Sequence, residues 1–284
     1  MIPCGPVSGR FSLRALLAGV APVLLFVTMA AAARRVESVE PRIEEITFPS
    51  AALAREMKVV VVRPGEGGDP SACPVLYLLH GRCRHRRSLI DDPASCRALL
   101  EAQCWVVLPD GEDGWYSDTP VGRYASNLTE VMQEIEAHYG LNPTPARRAI
   151  AGWSMGGYGA VRFAQSHPHR FGIVAAILGL LDFPREPVPP ADQNYPVPAD
   201  RFGADPAAWS AANPLRSIEA LRGKAVLVVT GTDAFDRTMN VNFSVALSAA
   251  GIPHEYRLLP GSHTFPVVRD GLPLVLEFVR RSIR

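Results

Sequence analysis

Short apolar runs alternate along the chain with longer segments of helical periodicity. The apolar runs are mostly rich in Val and Leu and end in Gly, Pro or polar residues, which is typical of strands buried on both faces of a sheet. They span residues 57–64, 73–81, 104–111, 147–154, 171–179, 224–233 and 254–263. Apolar residues recur at helical spacing over residues 91–102, 124–140, 154–167, 239–251 and 272–283. The alternation predicts an α/β fold with a mainly parallel, doubly wound sheet and a ligand site at the carboxyl ends of the strands.

One internal segment breaks this alternation. Residues 181–216 are rich in Pro, Asp and Ala and have no strand pattern, which predicts an excursion over the top of the sheet. Such an excursion is either a lid over a ligand site or an inert surface loop. We expect residues 34–284 to form one domain, because α/β folds of this length are commonly single domains.

Residues 1–33 have the layout of a secretory signal. Arg10 and Arg14 precede an uncharged, largely apolar run over residues 15–33. The run ends in alanines, which fits the small-residue rule for cleavage after Ala33. It is also nearly long enough to span a bilayer, so an uncleaved anchor is the alternative. We expect a protein that is secreted or held in the cell envelope, with membrane contact only if the segment stays uncleaved.

Composition and charge narrow the possible partners. The chain of 284 residues is 48% hydrophobic and carries a formal net charge of +1, which gives no reason to expect a nucleic-acid partner. After export, an even set of cysteines could form two disulfides in an oxidising compartment. These are Cys73, Cys83, Cys96 and Cys104. No Cys-x2-Cys pair is present, so a zinc site is not indicated and we expect no metal.

Residues 152–156 read Gly-Trp-Ser-Met-Gly and lie between a predicted strand and a predicted helix. A nucleophile at the tip of a strand needs neighbours without side chains, because the turn into the following helix is tight. Gly152 and Gly156 supply them, and the pattern is that of the G-x-S-x-G nucleophile elbow. The spacing therefore predicts Ser154 as a nucleophile.

A serine hydroxyl needs a base to activate it, and the base needs an acid to orient it. His263 follows the last predicted strand, where this fold places the base. Asp233 follows the strand before it and is our prediction for the acid, with Asp236 as the alternative. The developing oxyanion requires two backbone N–H groups, which we expect from Met155 at the helix start and from Arg82 after the apolar run that ends in His80-Gly81.

With these residues in place, the chain resembles the esterase D and antigen 85 group of serine hydrolases. The segments that carry the resemblance, in the order of that group, are YLLHG, DGWYSDTP, AGWSMGGYGAVRFAQSHP, RFGADPAAWSAANPL and PGSH. The resemblance implies a three-layer α/β-hydrolase fold, a Ser/Asp/His triad, no cofactor and action on carboxylic esters. It points to Ser154 and His263, to oxyanion donors Arg82 and Met155, and covers nearly everything after Ile43.

The resemblance also suggests residues for substrate binding, and this sequence departs from the pattern of the group at two places. It implies a substrate-binding wall at Trp115 and Tyr116. His80 is expected either to join that wall or to brace its loop as a structural histidine. The trehalose-specific mycolyltransferases carry an aspartate at the position of His80 and use glutamate as the acid, which favours the plain esterases here. Many relatives carry the acid at the position of Ala234, so Asp233 implies a shift of one residue in the acid loop.

The sequence thus predicts a secreted serine carboxylesterase acting on a small-molecule or glycan-linked ester. Two alternatives stay open: an acyltransferase that moves the acyl group to a sugar alcohol, and a non-catalytic surface binding protein on a hydrolase scaffold. A cluster of arginines beside the oxyanion segment either binds an anionic group of the substrate or forms a solvated loop. These are Arg82, Arg84, Arg86 and Arg87.

Overall fold

The computed structural model describes residues 42–65 and 73–283, so the predicted signal segment lies outside the described residues. Its strands are β1 (Ile43–Ser50), β2 (Arg55–Val62), β3 (Val75–Leu79), β4 (Trp105–Pro109), β5 (Asp118–Thr119), β6 (Gly122–Arg123), β7 (Arg148–Trp153), β8 (Ile173–Ile177), β9 (Ala225–Gly231) and β10 (Glu255–Leu259). Its α-helices are α1 (Pro93–Glu101), α2 (Tyr124–His138), α3 (Met155–Ser166), α4 (Ala199–Phe202), α5 (Pro206–Ala212), α6 (Arg237–Ala249) and α7 (Phe265–Ser282). Short 3-10 helices span Pro145–Arg147, Ala191–Gln193 and Pro214–Leu221.

A sheet of eight strands in the order β1-β2-β4-β3-β7-β8-β9-β10 forms the middle layer. From β4 to β10 neighbouring strands run parallel, whereas β1 pairs with β2 and β2 with β4 in antiparallel register. The small sheet of β5 and β6 lies apart from it. The expected mainly parallel, doubly wound sheet is therefore confirmed.

Two apolar clusters cover the two faces of the large sheet, which gives the three layers. On one face, residues of α2, α3 and α6 pack against inward-facing positions such as Tyr77 and Ile150. On the other face, residues of α1 and α7 pack against the alternate positions, such as Leu76 and Ala151. Because both faces are covered, the central strands are buried along their whole length, as their continuous apolar runs require.

Several elements differ from the sequence expectation, among them the edge strand β1, the short strands β5 and β6, and helix α7. β1 was not predicted, because this edge strand is half exposed and reads IEEITFPS, a largely polar pattern. Helix α7 begins at Phe265, seven residues before the predicted start, with Pro266 in its first turn and Pro273 inside it. A proline is readily accepted in a first helical turn, because the N–H that it lacks has no intrahelical partner there.

The excursion predicted for residues 181–216 contains α4, α5 and two 3-10 segments and is docked on the helix that follows the nucleophile elbow. The hydroxyl of Tyr158 donates to the Ala212 carbonyl (2.9 Å), and the Gln165 amide donates to the Pro214 carbonyl (2.8 Å). Arg162 donates to the Ala211 carbonyl at 3.0 Å. The excursion is thus anchored along one side of α3.

The cysteines and the helices of the described part add two observations. Cys73, Cys83, Cys96 and Cys104 all carry free thiols, so no disulfide joins any two of them. Burial, reinforced by the nearby Cys73 thiol, raises the pKa of Cys104 to about 12, which makes its thiol unreactive near neutral pH. Within residues 42–65 and 73–283, no helix combines the length and the apolar character that a membrane crossing requires.

The fold leaves no room for a side chain at Gly152, the fifth residue of β7. A Cβ atom there would lie 2.3 Å from the Gly156 carbonyl oxygen and 2.8 Å from that of Leu79. Both are backbone atoms held by the sheet and by α3, so neither can yield locally. A Cβ at Gly271 in α7 would instead meet only the flexible side chain of Ile177, at 3.1 Å.

We therefore expect Gly152→Ala to lower the free energy of unfolding by roughly 1–3 kcal/mol or more through overpacking. Gly271→Ala is the control and should change it by less than about 1 kcal/mol, because the gain in helix propensity offsets a small displacement of Ile177. Urea unfolding followed by circular dichroism measures both. Equal stability of the two variants would contradict the interpretation that backbone atoms exclude a side chain at Gly152.

Candidate active site

Ser154 sits in a strained turn between β7 and α3. Its backbone has φ 54° and ψ −121°, a conformation that residues with a Cβ rarely adopt. The turn is held by bonds from the Ser154 N–H to the Ile177 carbonyl and from the Tyr158 N–H to the Ser154 carbonyl, both 3.0 Å. Sheet and helix together thus fix a partly exposed serine at the carboxyl end of the sheet.

His263 lies on the loop between β10 and α7 and faces this serine. Its Nε2 atom is 2.9 Å from Ser154 Oγ, and its Nδ1 atom is 2.6 Å from Asp236 Oδ1. The imidazole is one-fifth exposed, whereas the aspartate side chain is fully buried. Serine, histidine and carboxylate therefore form an unbroken relay, with the serine on the side open to solvent.

The partner of His263 is Asp236, so the prediction of Asp233 for that position was wrong. The Asp233 N–H donates to the Gly261 carbonyl (2.9 Å), and its exposed carboxylate accepts from the Thr232 hydroxyl (2.9 Å). This backbone bond ties the acid loop to the histidine loop at Asp233. The following residues then turn inward, and Asp236 reaches the imidazole as the residue just before α6.

Two residues that the sequence analysis missed hold the Asp236 carboxylate. Its Oδ2 atom accepts from the Thr230 hydroxyl (2.8 Å) and from the Asn240 amide (2.7 Å). The same amide nitrogen also donates to the Gly179 and Asp236 carbonyls. Thr230, Asp236 and Asn240 are all fully buried. Asn240 is one helical turn after Asp236, a spacing that could have indicated the contact.

The structure brings Arg82 and Met155 to the two sides of the serine. The N–H of Met155 opens α3, where a helix leaves its first N–H groups without intrahelical acceptors and favours negative charge. Arg82 lies in a turn closed by a bond from the Arg84 N–H to the Gly81 carbonyl (3.2 Å). A Cβ on Gly81 would lie 3.3 Å from Ser154 Cβ, so this turn passes directly beside the serine.

His80 holds the turn at Gly81 through its ring nitrogens. Of its two expected roles, the structure favours the structural one. Its Nε2 atom accepts from the Gly111 N–H (2.9 Å), so Nδ1 carries the proton and donates to the Gly81 carbonyl (2.8 Å). The ring is buried and both nitrogens are engaged. The prediction that His80 contacts substrate was therefore wrong.

Trp115 and Tyr116 are also buried, contrary to the expected substrate-binding wall. Tyr116 is 3% exposed and its hydroxyl accepts from the His80 N–H (3.0 Å). Trp115 is 1% exposed and stacks on Phe183, with Phe202 edge-on. Both residues have positive φ; the Trp115 ring packs under the excursion, and the Tyr116 ring packs against His80. They support the site rather than line it.

Two aromatic residues not singled out from the sequence stand beside the imidazole instead. Phe235 stacks on His263 with ring centroids 4.3 Å apart and planes 29° apart. Tyr195, from the excursion, stacks in turn on Phe235 at 5.5 Å and 19°. Phe235 lies just before Asp236 in the acid loop, which is why it reaches the ring.

The arginine cluster is largely neutralised by carboxylates. Arg82, Arg86 and Arg87 form ion pairs with Asp113, with Glu45 and Asp110, and with Asp91, respectively. Arg84 lies over the Phe265 ring at 5.2 Å. The arrangement favours the solvated-loop alternative over a dedicated anion site. Among the residues of the described part, no group of His, Cys, Asp and Glu side chains is arranged to hold a metal ion.

Comparison with known proteins identifies the family. Residues 50–267 match the family model described as "Putative esterase". The chain belongs to this esterase family. Esterase Rv1288 of Mycobacterium tuberculosis H37Rv is 30% identical over 258 residues, and the match covers 80% of this chain. S-formylglutathione hydrolase of Mus musculus is 26% identical over 243 residues, covering 75% of this chain and 83% of its own length.

The solved structure of a ferulic acid esterase has the same fold as this chain. It superimposes with a TM-score of 0.69 at 25% sequence identity, over 85% of this chain and 98% of its own. The fold and the resemblance to esterase D and its relatives are thus confirmed. The match to Esterase Rv1288 covers only 56% of that protein, so the chain spans about half the length of this curated relative.

The buried carboxylate generates a stability prediction. Asn240→Ala should lower the free energy of unfolding by about 2–3 kcal/mol, because Asp236 loses a donor that no water can replace. Asn242→Ala, two residues along α6, removes an amide that donates to Asp182 (2.9 Å). Asp182 keeps its bonds from Arg185 and Asn213, so this control should cost only about 1 kcal/mol. Chemical denaturation measures both, and equal losses would contradict the prediction.

Proposed function

We propose that this esterase-family protein is an exported serine carboxylesterase with Ser154, His263 and Asp236 as its catalytic triad. One observation carries the proposal: the relay of 2.9 Å and 2.6 Å contacts that joins the serine hydroxyl to a fully buried carboxylate through one imidazole. A buried carboxylate that accepts from Nδ1–H fixes the tautomer in which Nε2 is free to accept the serine proton.

In the proposed reaction, Ser154 Oγ attacks the ester carbonyl carbon while His263 Nε2 takes the hydroxyl proton. The negative charge that develops on the carbonyl oxygen is met by the N–H groups of Arg82 and Met155. The bond to the alcohol oxygen then breaks as His263 returns the proton to that oxygen, leaving an acyl-serine. Water enters by the same route, releases the acid and restores the serine hydroxyl. Asp236 stays ionised and stabilises the imidazolium throughout.

The substrate class we propose is a carboxylic ester of a small molecule or of a glycan. Relatives named as esterases, among them a ferulic acid esterase, support ester hydrolysis. The structural role of His80 also supports a plain esterase, because the sequence analysis associated that position with aspartate in the mycolyltransferases. No cofactor is required by these steps.

The test is hydrolysis of p-nitrophenyl esters from acetate to long chain. Ser154→Ala should abolish turnover, and Asp236→Asn should lower kcat roughly 10³- to 10⁴-fold because the imidazole loses its tautomer. Asp233→Asn is the matched control, changes the same residue type in the same loop, and should stay within about twofold of wild type, as expected for a surface substitution. A fluorophosphonate probe should label wild type at Ser154.

Two outcomes would contradict the proposal. If Asp233→Asn lost as much activity as Asp236→Asn, the assignment of the acid would be wrong. If wild type neither hydrolysed any ester nor reacted with the probe, the scaffold would be better explained as a binding protein.

We also propose export through residues 1–33, with Arg34 as the mature N-terminus. The full chain should appear outside the cytoplasm of a bacterial host with an intact mass that corresponds to cleavage after Ala33. Ala31→Phe, which places a bulky residue where the protease requires a small one, should retain the segment. Recovery of wild type in the membrane with an intact N-terminus would support the anchor, and recovery in the cytosol would refute export.

A further inference from the structure

Tyr195 contacts two separate parts of the candidate active site: the turn that contains Arg82, and the Phe235 ring that stacks on His263. It lies in the excursion, between the 3-10 segment Ala191–Gln193 and α4. Its hydroxyl accepts from Arg82 Nη1 at 2.9 Å, and its ring stacks on Phe235. One half-buried side chain thus joins the turn that carries an oxyanion donor to the aromatic ring that covers the base.

The stacked rings of Phe235 and Tyr195 restrain the tilting of the His263 imidazole out of its plane, a motion that its two hydrogen bonds do not prevent. Ser154 and Asp236 hold the two edges of the imidazole in its plane. Phe235 covers one face at 4.3 Å, so tilting of the ring toward that face requires displacement of Phe235. Tyr195 stacks on Phe235 with nearly parallel planes, so displacement of Phe235 must also disturb the Tyr195 ring.

On the oxyanion side, the contact holds the side chain of the residue whose N–H would meet the carbonyl oxygen. Among residues 42–65 and 73–283, the other side-chain partner of Arg82 is Asp113, through a contact of 3.4 Å from Nε. Asp113 also accepts from the Cys83 N–H at 2.8 Å, and Cys83 has a φ of 57°. The bond to Tyr195 ties the side chain of Arg82 to the excursion, on the opposite rim of the site, in addition to the contact of Arg84 with Phe265.

The position of Tyr195 is itself fixed by the helix that follows Asp236. The side-chain carbonyl of Gln193 accepts from both the N–H and the hydroxyl of Thr238, each at 3.1 Å. Thr238 is in the first turn of α6, where N–H groups lack intrahelical acceptors. Gln193, two residues before Tyr195, thus caps the N-terminus of α6. This bond fixes the position of Tyr195 relative to the acid loop that precedes α6.

We propose that Tyr195 is a positioning residue that sets the oxyanion turn in register with the His263 imidazole. This inference rests on the proposed esterase function. It also assigns the excursion a role other than a moving lid. The excursion acts as a fixed brace that connects the donor of the oxyanion hole with the base across the mouth of the site.

The test compares two tyrosines that each bind the excursion to the protein through one hydroxyl. Tyr195→Phe keeps the stack and removes the bond to Arg82. Tyr158→Phe removes the bond to the Ala212 carbonyl at the other end of the excursion and is the matched control. We expect Tyr195→Phe to lower kcat roughly three- to tenfold at nearly unchanged KM, because misplaced donors weaken transition-state binding. Tyr158→Phe should leave both constants within about twofold, since it keeps the backbone bond to the Ser154 carbonyl and removes only a hydroxyl that faces the excursion.

A double-mutant cycle separates positioning from a general loss of structure. Arg82→Met keeps the backbone N–H and removes the same bond from the other side, together with the contact to Asp113, so it should lower kcat at least as much. The double variant Arg82→Met/Tyr195→Phe should then lose no more than Arg82→Met alone, because the bond that Tyr195→Phe removes is already absent. Wild type and Ser154→Ala are measured alongside with a neutral p-nitrophenyl ester.

The outcomes distinguish this inference from the function on which it rests. Wild-type kcat in Tyr195→Phe, an effect on KM alone, or additive losses in the double variant would overturn the role of Tyr195 while leaving the esterase intact. An equal loss of kcat in Tyr158→Phe would do the same. Absence of wild-type turnover would instead overturn the proposed function, and the role of Tyr195 with it.

Discussion

The close approach of the elbow backbone to the end of β3 is the constraint on which the site depends. A Cβ atom at Gly156 would lie 2.2 Å from the Leu79 carbonyl oxygen, so the first turn of α3 touches the neighbouring strand without any intervening side chain. The chain continues from Leu79 through His80 into the turn at Gly81. The close approach of Gly156 to Leu79 therefore also sets the distance between Ser154 and the backbone N–H of Arg82.

The second requirement is a fully buried carboxylate that is supplied with hydrogen-bond donors. Burial of a charge is costly unless hydrogen bonds replace the lost water, and Asp236 has donors from His263, Thr230 and Asn240. In the proposed reaction, low local dielectric also strengthens the attraction of Asp236 to the imidazolium of His263. Asp233, exposed to solvent, incurs no such cost and could give no such stabilisation.

The periodicity of the sequence was sufficient for most of the fold, because strands covered on both faces must be continuously apolar. The glycine spacing around Ser154 and the place of His263 after the last strand were sufficient for two members of the relay. The choice between Asp233 and Asp236 was beyond the sequence, since a backbone bond to Gly261, far along the chain, decides which one turns inward. The burial of Trp115 and Tyr116 likewise depends on positive φ angles and on packing beneath a distant excursion.

The serine and the histidine that face each other are 109 positions apart in the chain. Contacts of such separation form late, because the loop between them must close before any favourable interaction offsets its entropy. A growing chain exposes the finished elbow strand long before β10 and its loop exist. Under the proposed function, the growing chain therefore holds Ser154 for a long interval without its base, and ester cleavage awaits synthesis of the segment that carries His263.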